Sequence, residues 1–209
     1  MLEGFFISKV FIEKAEFDHN KIYTKTMLTL QQIKYYINPM PPILTDLIAK
    51  DLTIIFCGIN PGLKSAWDGH HFSGRSNRFW KVMYHAGFTP YQIEPVNDAS
   101  ILNFGYGLTT AVARATTRAD ELSKDEFEKS IDTFKIKMTH FSPKCIAFLG
   151  KPAYMAFSGK RQIAWGLQPE DFCGARVWVL PNPSGLNRGF TFDDLVAHYR
   201  QLFVQYESN

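Results

Sequence analysis

The sequence predicts an α/β fold built on a central, largely parallel sheet of short strands, and three observations carry that prediction. The runs LTIIFC (52–57), KCIAFLG (144–150) and RVWVLP (176–181) are continuously apolar, as strands covered on both faces must be. Each ends in a turn containing Gly or Pro. Amphipathic helical patterns lie between and after these runs, and strands that alternate with helices assemble into a parallel sheet.

Taken in chain order, residues 1–41 mix aromatic and charged side chains without periodicity and close on the Pro-rich INPMPP. We expect an N-terminal extension of unknown role here and a single domain over residues 42–209. Met27 and Met40 precede the organised region, which suggests a start codon downstream of Met1. The first strand, 52–57, runs into GINPG (58–62), and a short helix is expected after Ser76. A fourth strand is expected over residues 106–112.

Ser123 and Glu126 form a capping box ahead of the stripe Phe127, Ile131, Phe134, Met138 and Phe141, predicting a long helix. The strand 144–150 leads into a helix with Pro152 in its first turn, where its missing N–H is harmless. After the last strand, Phe192, Leu195, Val196, Tyr199, Leu202, Phe203 and Tyr206 recur at helical spacing. Thr191 is the expected N-cap, with Asp193 and Asp194 at the positive end of the helix dipole.

A formal charge of +3 allows a polyanionic partner without demonstrating one. Cys57, Cys145 and Cys173 are too far apart for a metal clamp and odd in number for a disulfide framework. Charges at Glu3, Lys9, Glu13 and Lys14 interrupt any secretory signal, and no segment reaches the roughly 20 apolar residues of a spanning helix. A soluble, intracellular protein is expected, in the cytoplasm or nucleoid if bacterial.

In open parallel sheets ligands bind beyond the carboxyl ends of the strands. GINPG, GKPAY (150–154) and PNPSGLNRG (181–189) all fall at that edge. GINPG matches neither GxGxxG nor GxxxxGK[ST], and Pro61 removes an N–H that a phosphate cradle would use. PNPSG is not the GxSxG of a nucleophile elbow. Asp68, His70 and His71 read as a polar loop rather than a metal site, and no cofactor is implied. The edge is rich in Asn, His, Phe and Gly and lacks paired carboxylates. An Asn has no useful pKa for general-base work, but it can hold a water through its amide.

GINPG (58–62), GHHFSGRSNRFWK (69–81), YGLTTAVARATT (106–117), LSKDEF (122–127) and PNPSGLNR (181–188), in this order, resemble the mismatch-specific uracil and thymine DNA glycosylases. These form a branch of the uracil-DNA glycosylase superfamily. The resemblance covers roughly residues 42–203 and implies a three-layer α/β/α arrangement. It implies a monofunctional hydrolase that excises uracil, and more slowly thymine or etheno-type adducts, opposite guanine in double-stranded DNA. No lysine stands where a Schiff-base nucleophile would be expected.

By the same resemblance Asn60 positions the attacking water, and backbone groups around Gly58 and Ile59 contact the extruded base. Phe72 stacks on that base, Ser65 faces the edge carrying its 5-substituent, and His71 is a further candidate contact. Phe79, Trp80, Val82 and Met83 are read as helix core, Asn77 as a helix-start residue, and Thr110 as a position where relatives differ. The loop of Asn182, Ser184, Gly185, Leu186, Asn187 and Arg188 enters the duplex. There Leu186 is the apolar wedge, Gly185 admits the partner base, and Arg188 meets phosphates or the opposite strand. A monomer acting on mispaired or damaged duplex DNA is expected. Two alternatives stay open: a DNA-damage binding protein with weak catalysis, and a superfamily glycosylase of broader preference for deaminated bases.

Overall fold

The computed structural model describes residues 40–207, and the fold is that of the unit Pro42–Asn209. The extension expected at residues 1–41, except its last two residues, lies outside the described residues, and so does the start-codon reading that went with it.

Five strands form one sheet in the order β2-β1-β3-β5-β4. They are β1 (Ile54–Gly58), β2 (Tyr106–Thr110), β3 (Cys145–Leu149), β4 (Gly166–Leu167) and β5 (Arg176–Leu180). β1 pairs parallel with β2 and β3, and β3 pairs parallel with β5. β4 is antiparallel to β5, with Gly166 opposite Val179 and Leu167 opposite Trp178.

Helices cover both faces: α1 (Leu63–Asp68), α2 (Phe79–Ala86), α3 (Lys124–Phe141), α4 (Lys151–Ser158) and α5 (Phe192–Glu207). Two 3₁₀ segments, Pro95–Phe104 and Ala119–Glu121, complete the order. Among the described residues no helix is long and apolar enough to cross a membrane.

The strands read as continuous apolar runs because alternate residues enter opposite layers. Ile54 and Phe56 of β1, Cys145 and Ala147 of β3 and Trp178 and Leu180 of β5 pack with α2 and α5. Ile55 and Cys57, Ile146 and Phe148, and Val177 and Val179 pack instead with α3 and α4. The result is the three-layer α/β/α arrangement.

Each helix begins where its local chemistry requires. The Ser123 hydroxyl accepts the Glu126 N–H at 3.3 Å while Glu126 Oε2 accepts the Ser123 N–H at 2.9 Å, the reciprocal cap that starts α3. Thr191 does the same for α5 with Asp194, at 3.1 and 2.9 Å. Asn77 Oδ1 accepts the Phe79 N–H at 2.9 Å and opens α2. Phe127, Phe134 and Met138 line the buried face of α3, and Leu195, Tyr199 and Leu202 that of α5. Because β1, β2, β3 and β5 run in one direction, their carboxyl ends share one edge of the sheet.

Candidate active site at the carboxyl edge of the sheet

Asn60 sits in the turn that carries the chain from β1 into α1. Its Nδ2 donates to the Arg114 carbonyl at 2.8 Å and to Thr116 Oγ1 at 2.7 Å. The network assigns the amide's orientation: a backbone carbonyl can only accept, and the Thr116 hydroxyl spends its proton on the Arg118 carbonyl at 2.7 Å. Both N–H bonds of Asn60 are therefore committed, and Oδ1 accepts nothing from the described residues. The fixed amide thus presents a hydrogen-bond acceptor.

Both acceptors come from the loop after β2, which is tied closely to the turn. The Ala111 and Val112 N–H groups donate to the Gly58 and Ile59 carbonyls at 2.9 and 3.0 Å. The Thr116 N–H donates to the Pro61 carbonyl, and the Leu63 N–H to the Thr116 carbonyl, each at 3.1 Å. The Ile59 side chain is buried toward Gly150, at the start of α4. A Cβ added at Gly58 would meet only ordinary van der Waals contacts, 3.7 Å to Thr110 and 3.9 Å to the Phe72 ring. Gly58 and Phe72 are thus neighbours across the edge.

Phe72 is held in the left-handed region, φ 55°, a conformation that costs a bulky residue energy. Its ring stacks on Phe79 of α2, with centroids 4.0 Å apart and planes 24° apart. Flanking hydrogen bonds impose the strain. The Trp80 indole donates to the His71 carbonyl at 3.0 Å, and the His71 N–H donates to the buried Asp98 carboxylate at 2.7 Å. The Ser73 N–H donates to Ser65 Oγ at 3.2 Å. Asp98 also lies 3.2 Å from His70 Nδ1.

Three expectations meet a different local role. His71, expected against the base, is buried, and its Nε2 donates to the Thr45 carbonyl at 2.9 Å. Burial pushes its pKa below the ordinary histidine value, with Thr45 and Asp98 opposing. The residue thus fastens the Phe72 loop, through its ring to Thr45 and through its N–H to Asp98. Ser65 is also buried and uses its hydroxyl to fasten the same loop through Ser73. Gly185, expected to admit a partner base, backs onto the chain ahead of α2. A Cβ there would lie 2.5 Å from Ser76 Cβ and 2.7 Å from the Ser76 carbonyl oxygen.

The loop after β5 is shaped by its own side chains. Asn182 Oδ1 accepts the Ser184 N–H at 2.9 Å, and Asn187 Nδ2 returns to the Asn182 carbonyl at 2.9 Å. Ser184 Oγ accepts the Leu186 N–H at 3.3 Å. At the tip Leu186 is 66% exposed, and Arg188 beyond it is exposed as well.

Arg78, which sequence reasoning did not single out, holds this loop from below. Its guanidinium donates to the Pro183 carbonyl at 3.3 Å, Phe190 at 2.8 Å, Ser184 at 3.0 Å and Asn187 at 2.9 Å. Its backbone N–H adds a bond to Pro183 at 3.0 Å. Thr116, Arg114 and Asp98 were missed too. Arg78 and Asp98 act on backbone groups and Arg114 acts through its own carbonyl, none of which carries a signature in a sequence; Thr116 acts through a hydroxyl like any other.

In β1, burial pushes the Cys57 thiol well above the ordinary cysteine range. Lys64 pairs with Asp68 at 2.7 Å, and Lys151 lies over the Trp165 ring at 4.4 Å.

Residues 45–203 match the family model described as the uracil DNA glycosylase superfamily. The fold is similar to a solution NMR structure from Methanosarcina acetivorans, described as that of a candidate uracil DNA glycosylase. The TM-score is 0.58 at 18% identity, over 80% of this chain and 99% of that one.

Proposed function

The chain belongs to the uracil DNA glycosylase superfamily, which supports a DNA glycosylase in general terms, and from that premise we propose a narrower activity. The protein is a monofunctional glycosylase of the mismatch-specific branch, its glycosylase domain spanning residues 42–209. It removes uracil, and more slowly thymine or etheno-type adducts, opposite guanine in double-stranded DNA, leaving an abasic site.

The observation that carries this reading is the Asn60 amide, whose two N–H bonds are spent on Arg114 and Thr116 so that Oδ1 is left as acceptor. Such an oxygen orients a water toward the anomeric carbon by accepting a hydrogen bond from it, without taking its proton as a base would. The chemistry then relies on a leaving group that departs as an anion. Uracil does so when backbone N–H groups of the turn around Gly58 and Ile59 face its oxygen.

The base must first leave the helical stack, at a cost of a few kcal/mol that is smallest for a mispair. Phe72, stiffened by Phe79 behind it, offers a face that returns about 1 to 3 kcal/mol by stacking. Leu186 fills the vacated space, and Arg188 pairs with the backbone or the opposite strand. The ammonium groups of Lys64 and Lys151 are engaged with Asp68 and Trp165, which favours water over a lysine nucleophile.

Duplexes carrying G:U, G:T, A:U or hypoxanthine, incubated with the protein and then cleaved with alkali, test the reading. G:U is expected to react fastest, and Asn60→Ala to abolish release while keeping duplex binding. An Asn60→Ala protein as active as the parent, or strand nicking without alkali, overturns it.

A further inference from the structure

Residues 113–118 supply both acceptors of the Asn60 amide, yet this loop is anchored outside the site. Arg114 Nε donates to Glu126 Oε1 at 2.5 Å, and its terminal nitrogen donates to Glu126 Oε2 at 3.1 Å and to the Glu121 carbonyl at 3.0 Å. Glu126 Oε2 also accepts from the Ser123 N–H at 2.9 Å, in the cap of α3. Exposed ion pairs ordinarily contribute little, but a bidentate pair joined to a helix cap is the geometry in which one fixes a position. On its backbone side, the carbonyl of the same Arg114 receives Asn60 Nδ2 at 2.8 Å.

We propose that Glu126 is a positioning residue for Asn60, acting through the Arg114 guanidinium and the Arg114 carbonyl. The proposal rests on the assignment of Asn60 as the residue that orients the water. α3 belongs to the layer packed on Cys57 and Phe148, so a helix that supplies no group to the site sets the direction of its acceptor oxygen. A shift of about 1 Å at a reacting group can cost up to 100-fold in rate, so a tether of this kind bears on the chemical step rather than on DNA affinity.

Glu126→Gln separates the two duties of the residue. A capping box accepts Gln as well as Glu, so the start of α3 survives. Arg114, however, loses a charged two-oxygen partner and keeps one neutral acceptor.

The test is single-turnover excision from a G:U duplex with enzyme in excess, together with duplex affinity and thermal unfolding. Glu126→Gln is expected to slow excision by roughly fivefold to tenfold with affinity and unfolding midpoint at parental values. Arg114→Met should do the same, and the double variant should be no slower than Arg114→Met alone. If Glu126→Gln stays within about twofold of the parent while Asn60→Ala has lost its rate, the inference fails and the reading of Asn60 stands. Effects that multiply in the double variant, or affinity that falls in step with rate, also overturn it. If Asn60→Ala is itself fully active, the reading of the site fails and takes the inference with it.

Discussion

Asn60 Nδ2 and Thr116 Oγ1 lie 2.7 Å apart, and the Thr116 proton goes to the Arg118 carbonyl, so the amide is the donor across this contact. Thr116 is buried and also receives the Gly62 turn through a bridge between the two backbones. Thr116→Val keeps the shape and removes the acceptor. Excision should slow by roughly tenfold, with a stability loss of about 1 to 3 kcal/mol for the unpaired groups. Thr116→Ser should restore most of the rate, as single-turnover kinetics and urea unfolding of the three proteins would show.

Arg78 and Leu186 should separate the building of the loop from its use. Arg78→Met strips the donors from the carbonyls of Pro183, Ser184, Asn187 and Phe190. It should cost at least about 2 kcal/mol in urea unfolding and lower excision from duplex DNA. Leu186 is 66% exposed, so Leu186→Ala should leave stability within about 0.5 kcal/mol. Its excision from duplex should still fall, with single-stranded substrate less affected; equal losses on both substrates would remove the wedge.

Gly185→Ala places a methyl group 2.5 Å from Ser76 Cβ and 2.7 Å from its carbonyl oxygen. The backbone must move to admit it, at about 1 to 3 kcal/mol. Ser76→Gly in the same chain removes the side-chain clash and leaves the carbonyl clash, so recovery should be partial. Calorimetric midpoints of the single and double variants check this.

His71 makes stability depend on pH in a defined direction. Burial lowers its folded pKa below the ordinary value, so the unfolded chain takes up a proton that the folded chain refuses. Its contribution is present above about pH 6.5 and is lost as pH falls through the depressed folded value. Midpoints should therefore drop on acidification through that window, and His71→Gln should flatten the drop. A His71→Gln curve parallel to the parent's would rule this out.

The strands of the parallel sheet were legible because a segment covered on both faces must be apolar throughout, as Ile54–Gly58 and Cys145–Leu149 are. β4 was not, because two residues, Gly166 and Leu167, carry no pattern and gain their strand geometry from Val179 and Trp178 opposite. The 3₁₀ segment Pro95–Phe104 escaped because its apolar residues follow no period and its fastening to the site is the single carboxylate of Asp98. In the site, Asn60 stood out as a polar side chain in an apolar turn, whereas its orientation depends on the Arg114 carbonyl, a group every residue possesses. Gly185 shows the same limit, since what the missing side chain makes room for is a segment about a hundred residues away in the sequence.

The Arg78 staple and the Phe79 stack occupy consecutive positions at the head of α2. The loop bearing Leu186 and the ring of Phe72, far apart in the sequence, are therefore anchored on two adjacent residues. A substitution that displaces the Arg78–Phe79 pair should disturb both segments together.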